Sequence, residues 1–185
     1  MRFPYRLEFH EGTSARWPDF VQLFEARGGP KYCWCMAHRA KGTGSTAPAS
    51  RKAAMQRRVR AGTPIGILGY LEGEPIAWCS VAPKSTFEHL GEVEGDNADP
   101  ETLWSITCIL VTREYRGMGI TAHLIRAATT HAKAHGARTL EAYPVAPSSP
   151  SYRFMGFVPA FERGRLREVG RVGTRRHIYR RRFRA

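Results

Sequence analysis

Long apolar runs are missing from this chain. No segment approaches the ~20 apolar residues that a membrane-spanning helix needs, and the first ten residues, Met1 to His10, break their single apolar side chains with Arg2, Arg6 and Glu8. That excludes the apolar stretch of a secretory leader. Cysteine is scarce: Cys33, Cys35, Cys79 and Cys108 form no CxxC pair and no Cys/His cluster at zinc spacing. Nothing resembles a secreted disulfide framework. These absences point to a reduced, cytoplasmic protein without a metal or a membrane partner. Internal repeats are absent as well. Acidic residues are few, 16 Asp and Glu against 29 Lys and Arg, a net charge of +13. Such an excess favours anionic partners such as nucleic acid, membrane surfaces or polyphosphates, and excludes none of them. Much of it is terminal, in Arg175, Arg176, Arg180, Arg181, Arg182 and Arg184.

What is present suffices for one packed unit. With 185 residues and 42% hydrophobic residues, the chain buries a sizeable core without staples. We expect a single domain over residues 1–185. A helix is expected from Ser14 or Ala15 to about Ala26, Ser14 as its cap and Trp17, Phe20, Val21 and Phe24 at helical spacing. After Gly28-Gly29-Pro30 come Tyr32-Cys33-Trp34-Cys35-Met36-Ala37-His38-Arg39, then a Gly/Ser/Thr-rich loop over 41–49 and a second helix capped by Ser50. Ile65–Leu71 and Pro75–Ala82, joined by Glu72-Gly73-Glu74, read as a hairpin. Leu103–Val111 is apolar on both faces and therefore a central strand. Ile120, Leu124, Ala127 and Ala128 mark a helix ending at Gly136, Thr139–Tyr143 is a strand, and Leu166–Gly170 pairs with His177–Phe183 as a closing hairpin. Helices first, then a hairpin and strand-helix-strand, give a mixed α/β class.

One segment carries chemistry. From Ile109 a buried strand runs through Thr112-Arg113-Glu114-Tyr115 into Arg116-Gly117-Met118-Gly119-Ile120-Thr121, where a helix opens. Unpaired N–H groups at such a start, with the positive end of the helix dipole, bind phosphate. Gly117 and Gly119 let the main chain approach an anion, and Arg116 adds a charge. The stretch lacks the Lys-Ser/Thr pair of a P-loop and the third glycine of a dinucleotide fingerprint. A plain tight turn is the competing reading.

Arg116 to Thr121 resembles the Arg/Gln-x-x-Gly-x-Gly/Ala signature of the GNAT N-acetyltransferase superfamily, with Thr121 in place of Gly or Ala. Gly69 to Trp78 is similar to the family's hairpin and Thr139 to Pro144 to its fifth strand. Cys33 to Met36, Trp104 to Cys108 and Glu141 to Pro144 resemble a bacterial subgroup with a Cys-Trp-Cys-Met segment. The resemblance implies a mixed central sheet of about six or seven strands with flanking helices. It also implies a variable acceptor side over about 1–64, a coenzyme A core over about 65–143 and a C-terminal helix and hairpin over about 144–185. It implies acetyl-CoA as co-substrate and direct attack by a primary amine in a ternary complex, in a monomer or homodimer. Ile109, Leu110, Val111, Arg116, Gly117, Met118, Gly119, Ile120 and Thr121 are then the cofactor-binding residues.

The family's Tyr-x-x-x-Gly-Phe pattern fits Tyr152 to Phe157, which makes Tyr152 the proton donor to the departing thiolate. A second register puts Phe161 at that place, and Phe161 has no proton to give. Glu141, a carboxylate in an apolar strand, is the expected general base or else an ion-pair partner for an arginine. Tyr32, Trp34, Met36 and Glu88, with His38 beside them, are expected at the acceptor site, though Tyr32 and Trp34 read equally as core. The acidic run Glu88, Glu92, Glu94, Asp96, Asp99 and Glu101 is expected to hold a cationic small amine. The alternative reading is a nucleic-acid-binding or coenzyme A-sensing protein that keeps the fold without catalysis.

Overall fold

The computed structural model describes residues 6–39 and 47–184. A short strand β1, Leu7–Glu11, comes first, followed by helices α1, Trp17–Glu25, and α2, Pro48–Arg60. Then come β2, Ile67–Leu71, β3, Glu74–Pro83, β4, Leu103–Val111, α3, Ile120–Ala134, and β5, Thr139–Ala142. Helix α4, Val158–Arg163, and the hairpin β6, Arg167–Val172, and β7, Arg176–Arg182, close the chain. The seven strands form one sheet in the order β1-β2-β3-β4-β5-β7-β6. Every pair is antiparallel except β4 with β5, which are parallel and joined by the α3 crossover. No helix among the described residues is long and apolar enough to cross a membrane.

Successive strand residues point to opposite faces, and here both faces are covered. In β3, Ala77 and Cys79 join the core beneath α3, with Ile106, Leu124, Ala128 and Phe161. Trp78 between them joins the core beneath α1 and α2, with Phe20, Phe24, Met55 and Leu68. That double burial is why β2, β3 and β4 read as unbroken apolar runs. The hairpin turn places both Glu72 (φ 49°) and Gly73 (φ 85°) in the left-handed region, the primed geometry that matches strand twist.

Three local expectations are corrected. The chain starts its structure with β1, not a helix; five residues at a sheet edge carry too short a pattern to stand out beside α1. Ser14 belongs to a 3₁₀ turn and its hydroxyl donates to the Val59 carbonyl, so it caps nothing. Ser50 lies inside α2, which opens at Pro48, a residue whose fixed φ suits a first turn. The loop expected over 41–49 falls mostly outside the described residues, and its last two residues are helical.

Candidate active site

The centre of the sheet opens a cleft. β4 pairs with β5 only from Leu103 to Ile106, but continues along β3 to Val111. A register shift leaves Thr107 as the extra residue opposite Ser80 and Val81, and its hydroxyl donates to Ser80 Oγ at 2.9 Å. Such a bulge bends the strand and sharpens its twist. Beyond it, residues 107–111 turn an edge unpaired by β5 into a cleft of about 1150 Å³.

At one end of the cleft lies the glycine loop. Gly117 (φ 80°) and Gly119 (φ 79°) take left-handed conformations, which the missing side chain permits. A Cβ built at either meets no atom within 4 Å, so the space above each is open. Among the described residues, the amides of Gly117, Met118, Gly119, Ile120 and Thr121 have no backbone partner, and α3 has no side-chain cap. They form a concave row of donors at the positive end of a 15-residue helix. The Arg116 Nε donates to the Val111 carbonyl at 3.0 Å, which ties the loop to the end of β4. Ile109, Leu110, Val111, Arg116, Gly117, Gly119, Ile120 and Thr121 all line the cleft. Met118 does not; its side chain is exposed and only its amide belongs to the row.

Residues 30–38 form the facing wall, and their side chains divide. Trp34 (φ 49°) and Cys35 (φ 52°) adopt left-handed conformations without being glycine, a strain sustained only by strong packing. Trp34 is buried among Trp17, Phe20 and Phe24, and Met36 lies in the same core. Those two expected acceptor residues are therefore buried in the core and outside the cleft lining. Tyr32, Cys33 and His38 line the cleft. Cys33 is the more acidic thiol: a hydrogen bond from Cys35 brings it down to about 7, against the opposing effect of burial.

His38 has the chemistry of a base. Its Nδ1 lies 3.2 Å from the Glu88 carbonyl oxygen, which only accepts, so Nδ1 carries the proton and Nε2 keeps its lone pair. The Glu88 amide returns a bond to the His38 carbonyl at 2.8 Å. Burial pushes the imidazole below its ordinary 6.5, outweighing that carbonyl, and the charges of Arg176 and His89 push the same way. Glu88 thus serves His38 through its main chain, and its carboxylate is not part of the cleft lining. The sequence hinted at His38 only by its place beside the aromatic segment, since the anchor lies 50 residues away.

The remaining candidates lie elsewhere. Glu141 is fully buried, and its oxygens accept from Lys84 Nζ at 2.9 Å, Arg180 Nε at 2.6 Å and the Tyr143 hydroxyl. It is the centre of an ion-pair network away from the cleft, not a base facing a substrate. Tyr152 is outside the lining: its ring carries the Arg176 guanidinium at 5.1 Å, while Phe154 and Phe157 reach the cleft. Phe161, the competing register, is buried core. Within the acidic run, Glu94 and Asp96 lie against the C-terminal hairpin, where Asp96 pairs with Arg180. No Asp or Glu among the described residues lines the cleft, whereas Arg51, Arg116, Arg153 and Arg163 do. Residues 1–5, 40–46 and 185 contain no acid either. The expected acidic wall is absent: Asp96 is held by Arg180, and none of the run's other carboxylates lines the cleft.

The model of the acetyltransferase (GNAT) family matches residues 33–157. No curated protein matches the sequence. Among solved structures, aminoglycoside acetyltransferase AAC(6')-Ib in complex with coenzyme A and kanamycin is 16% identical, with a TM-score of 0.62 over 96% of this chain and 95% of that one. An N-acetyltransferase from Staphylococcus aureus Mu50 is 15% identical, with a TM-score of 0.57 over 96% and 98%. A GNAT family acetyltransferase from Brucella melitensis in complex with acetyl-CoA is 10% identical, with a TM-score of 0.53 over 98% and 90%. At these identities the likeness is one of fold.

Proposed function

This chain belongs to the acetyltransferase (GNAT) family, and from that premise we propose that it is an N-acetyltransferase whose cleft takes acetyl-CoA and a primary amine together. The observation that carries this reading is the row of open amides at Gly117 to Thr121 beside the unpaired end of β4. Acetyl-CoA supplies the acetyl group as an activated thioester. The amides and Arg116 receive the pyrophosphate, each bond to a charged oxygen contributing about 1.5–3 kcal/mol. The open edge at Ile109 to Val111 pairs with the amides of the pantetheine arm. His38 Nε2 takes the acceptor's proton as its nitrogen attacks; bonding makes that proton strongly acidic, so a weak base suffices. The carbon–nitrogen bond forms, the carbon–sulfur bond breaks, and solvent returns a proton to the thiolate. Holding both reactants in one cleft supplies most of the acceleration, with no enzyme nucleophile required.

Calorimetry with acetyl-CoA tests the assignment. Gly119→Glu sets a carboxylate among the open amides and forces a Cβ into a left-handed residue, a strain of about 1–2 kcal/mol. Affinity is expected to fall at least about tenfold with the fold intact, since the new Cβ meets nothing. Equal affinity for both proteins, or no binding by either, overturns the assignment.

The lining also favours an acceptor class. A polycationic amine meets four arginines and no carboxylate there, so the supported acceptor is an amine on an apolar or acidic body. Thiol release from acetyl-CoA is expected to be faster with amino acids or short acidic peptides than with polyamines or aminoglycosides. The reverse order would refute this charge argument and leave acetyl-CoA binding untouched.

A further inference from the structure

The far end of α3 carries a second cluster of ligand atoms. His131 and His135 are four residues apart and therefore lie on one helix face, with ring centroids 4.2 Å apart. Glu11, the last residue of β1, brings its Oε2 to 3.8 Å from His135 Nε2. One donor atom from each of the three lies within 4.8 Å of the others. Donors held 2.0–2.2 Å from a single ion stand about 3.3–3.5 Å apart, so side-chain rotation of about an ångström closes the set without moving the backbone.

The protonation states suit an ion. His135 Nδ1 donates to the His131 carbonyl at 2.8 Å, which leaves Nε2 as the free lone pair and fixes the ring. His131 Nε2 is buried and has no hydrogen-bond partner among the described residues. The buried ring of Trp104 packs against both imidazoles, at 5.6 and 5.7 Å between centroids, and forms an apolar floor. An ion pair between His135 and Glu11 alone satisfies neither the long 3.8 Å separation nor the orphaned His131 nitrogen.

We propose that Glu11, His131 and His135 bind a divalent transition-metal ion, with water completing its coordination. Two imidazoles and a carboxylate suit Zn²⁺ and, among its neighbours, Ni²⁺ and Cu²⁺. None of the three lines the cleft, and His131 lies about 15 Å along α3 from Thr121. The ion is a clip, joining the edge strand β1, which pairs only with β2, to the end of α3. It is independent of the acetyltransferase reading.

The test is calorimetry of the untagged full chain with Zn²⁺ in chelator-free buffer. Wild type is expected to bind one ion and to melt at higher temperature in its presence. His135→Ala, at a half-exposed position, and Glu11→Gln are each expected to weaken Zn²⁺ binding at least about tenfold. Cys33→Ser removes the one acidic thiol of the cleft and is expected to leave Zn²⁺ binding unchanged. Cu²⁺ is expected to quench Trp104, and Trp104→Phe to remove that quenching while Zn²⁺ still binds. Full affinity in His135→Ala, loss of binding in Cys33→Ser, or no binding by wild type overturns the proposal.

Discussion

Replacing His38 with alanine is expected to lower kcat by about 10²–10⁴-fold, the ordinary contribution of a positioned base, and to leave acetyl-CoA affinity unchanged. The acceptor nitrogen attacks as the free amine and becomes strongly acidic as it bonds, and no carboxylate among the described residues lines the cleft to take its proton. Among the described residues, His38 alone in that lining has an imidazole, and the Glu88 carbonyl fixes which nitrogen is free. The pH dependence follows from the direction of its shift. Burial lowers its pKa below 6.5, so the rate advantage of wild type over the variant persists as pH falls through 6.5 and is lost only below it, when the ring takes a proton. In His38→Ala that additional fall is expected to vanish, leaving a low rate set by the free amine fraction. An unaltered kcat and pH profile in the variant would mean that water alone removes the proton.

Glu141→Ala is expected to act on stability, not chemistry. Lys84 and Arg180 both end on this carboxylate, with side chains 14% and 6% exposed. Removing it leaves Lys84 without a carboxylate and Arg180 with Asp96 alone, a loss of about 3–5 kcal/mol. In a chain of this size that corresponds to a fall in Tm of roughly 6–20 °C. The Tyr143 phenol, pushed well up by burial and by the Glu141 charge, stays neutral and cannot replace the missing anion. The rate per folded molecule, measured well below the lowered Tm, is expected to match wild type. A catalytic Glu141 would give the opposite pair of results, a slow enzyme with an unchanged Tm. Thermal melts and active-site-normalised kinetics on one preparation distinguish the two.

The same network accounts for part of the charge. Arg180 is neutralised by Glu141 and Asp96, Arg181 donates to the Gly164 carbonyl, Arg175 to Ser151 Oγ and Arg176 to the Leu90 carbonyl. Arginines that look like a basic tail in the sequence are thus occupied in holding β7 to its surroundings.

Local rules made the glycine loop legible in advance. A buried strand, two glycines and a helix start lie contiguous from Ile109 to Thr121, and backbone conformation there answers to adjacent residues: Gly117 and Gly119 must accept positive φ, and α3 must leave its first amides open. The hairpin around Gly73 and the central place of β4 were legible for the same reason. The chemistry beside the loop was not. Whether Trp34 or His38 faces the cleft depends on two left-handed residues held by packing from α1, and the His38 ring is oriented by a carbonyl 50 positions away. Glu141 finds its partners 57 and 39 residues off, through pairings of β4, β5 and β7 that no local pattern encodes. Chain-adjacent geometry is written in residue types. The environment of a side chain is set by which distant elements pack over it, and only the tertiary structure decided that.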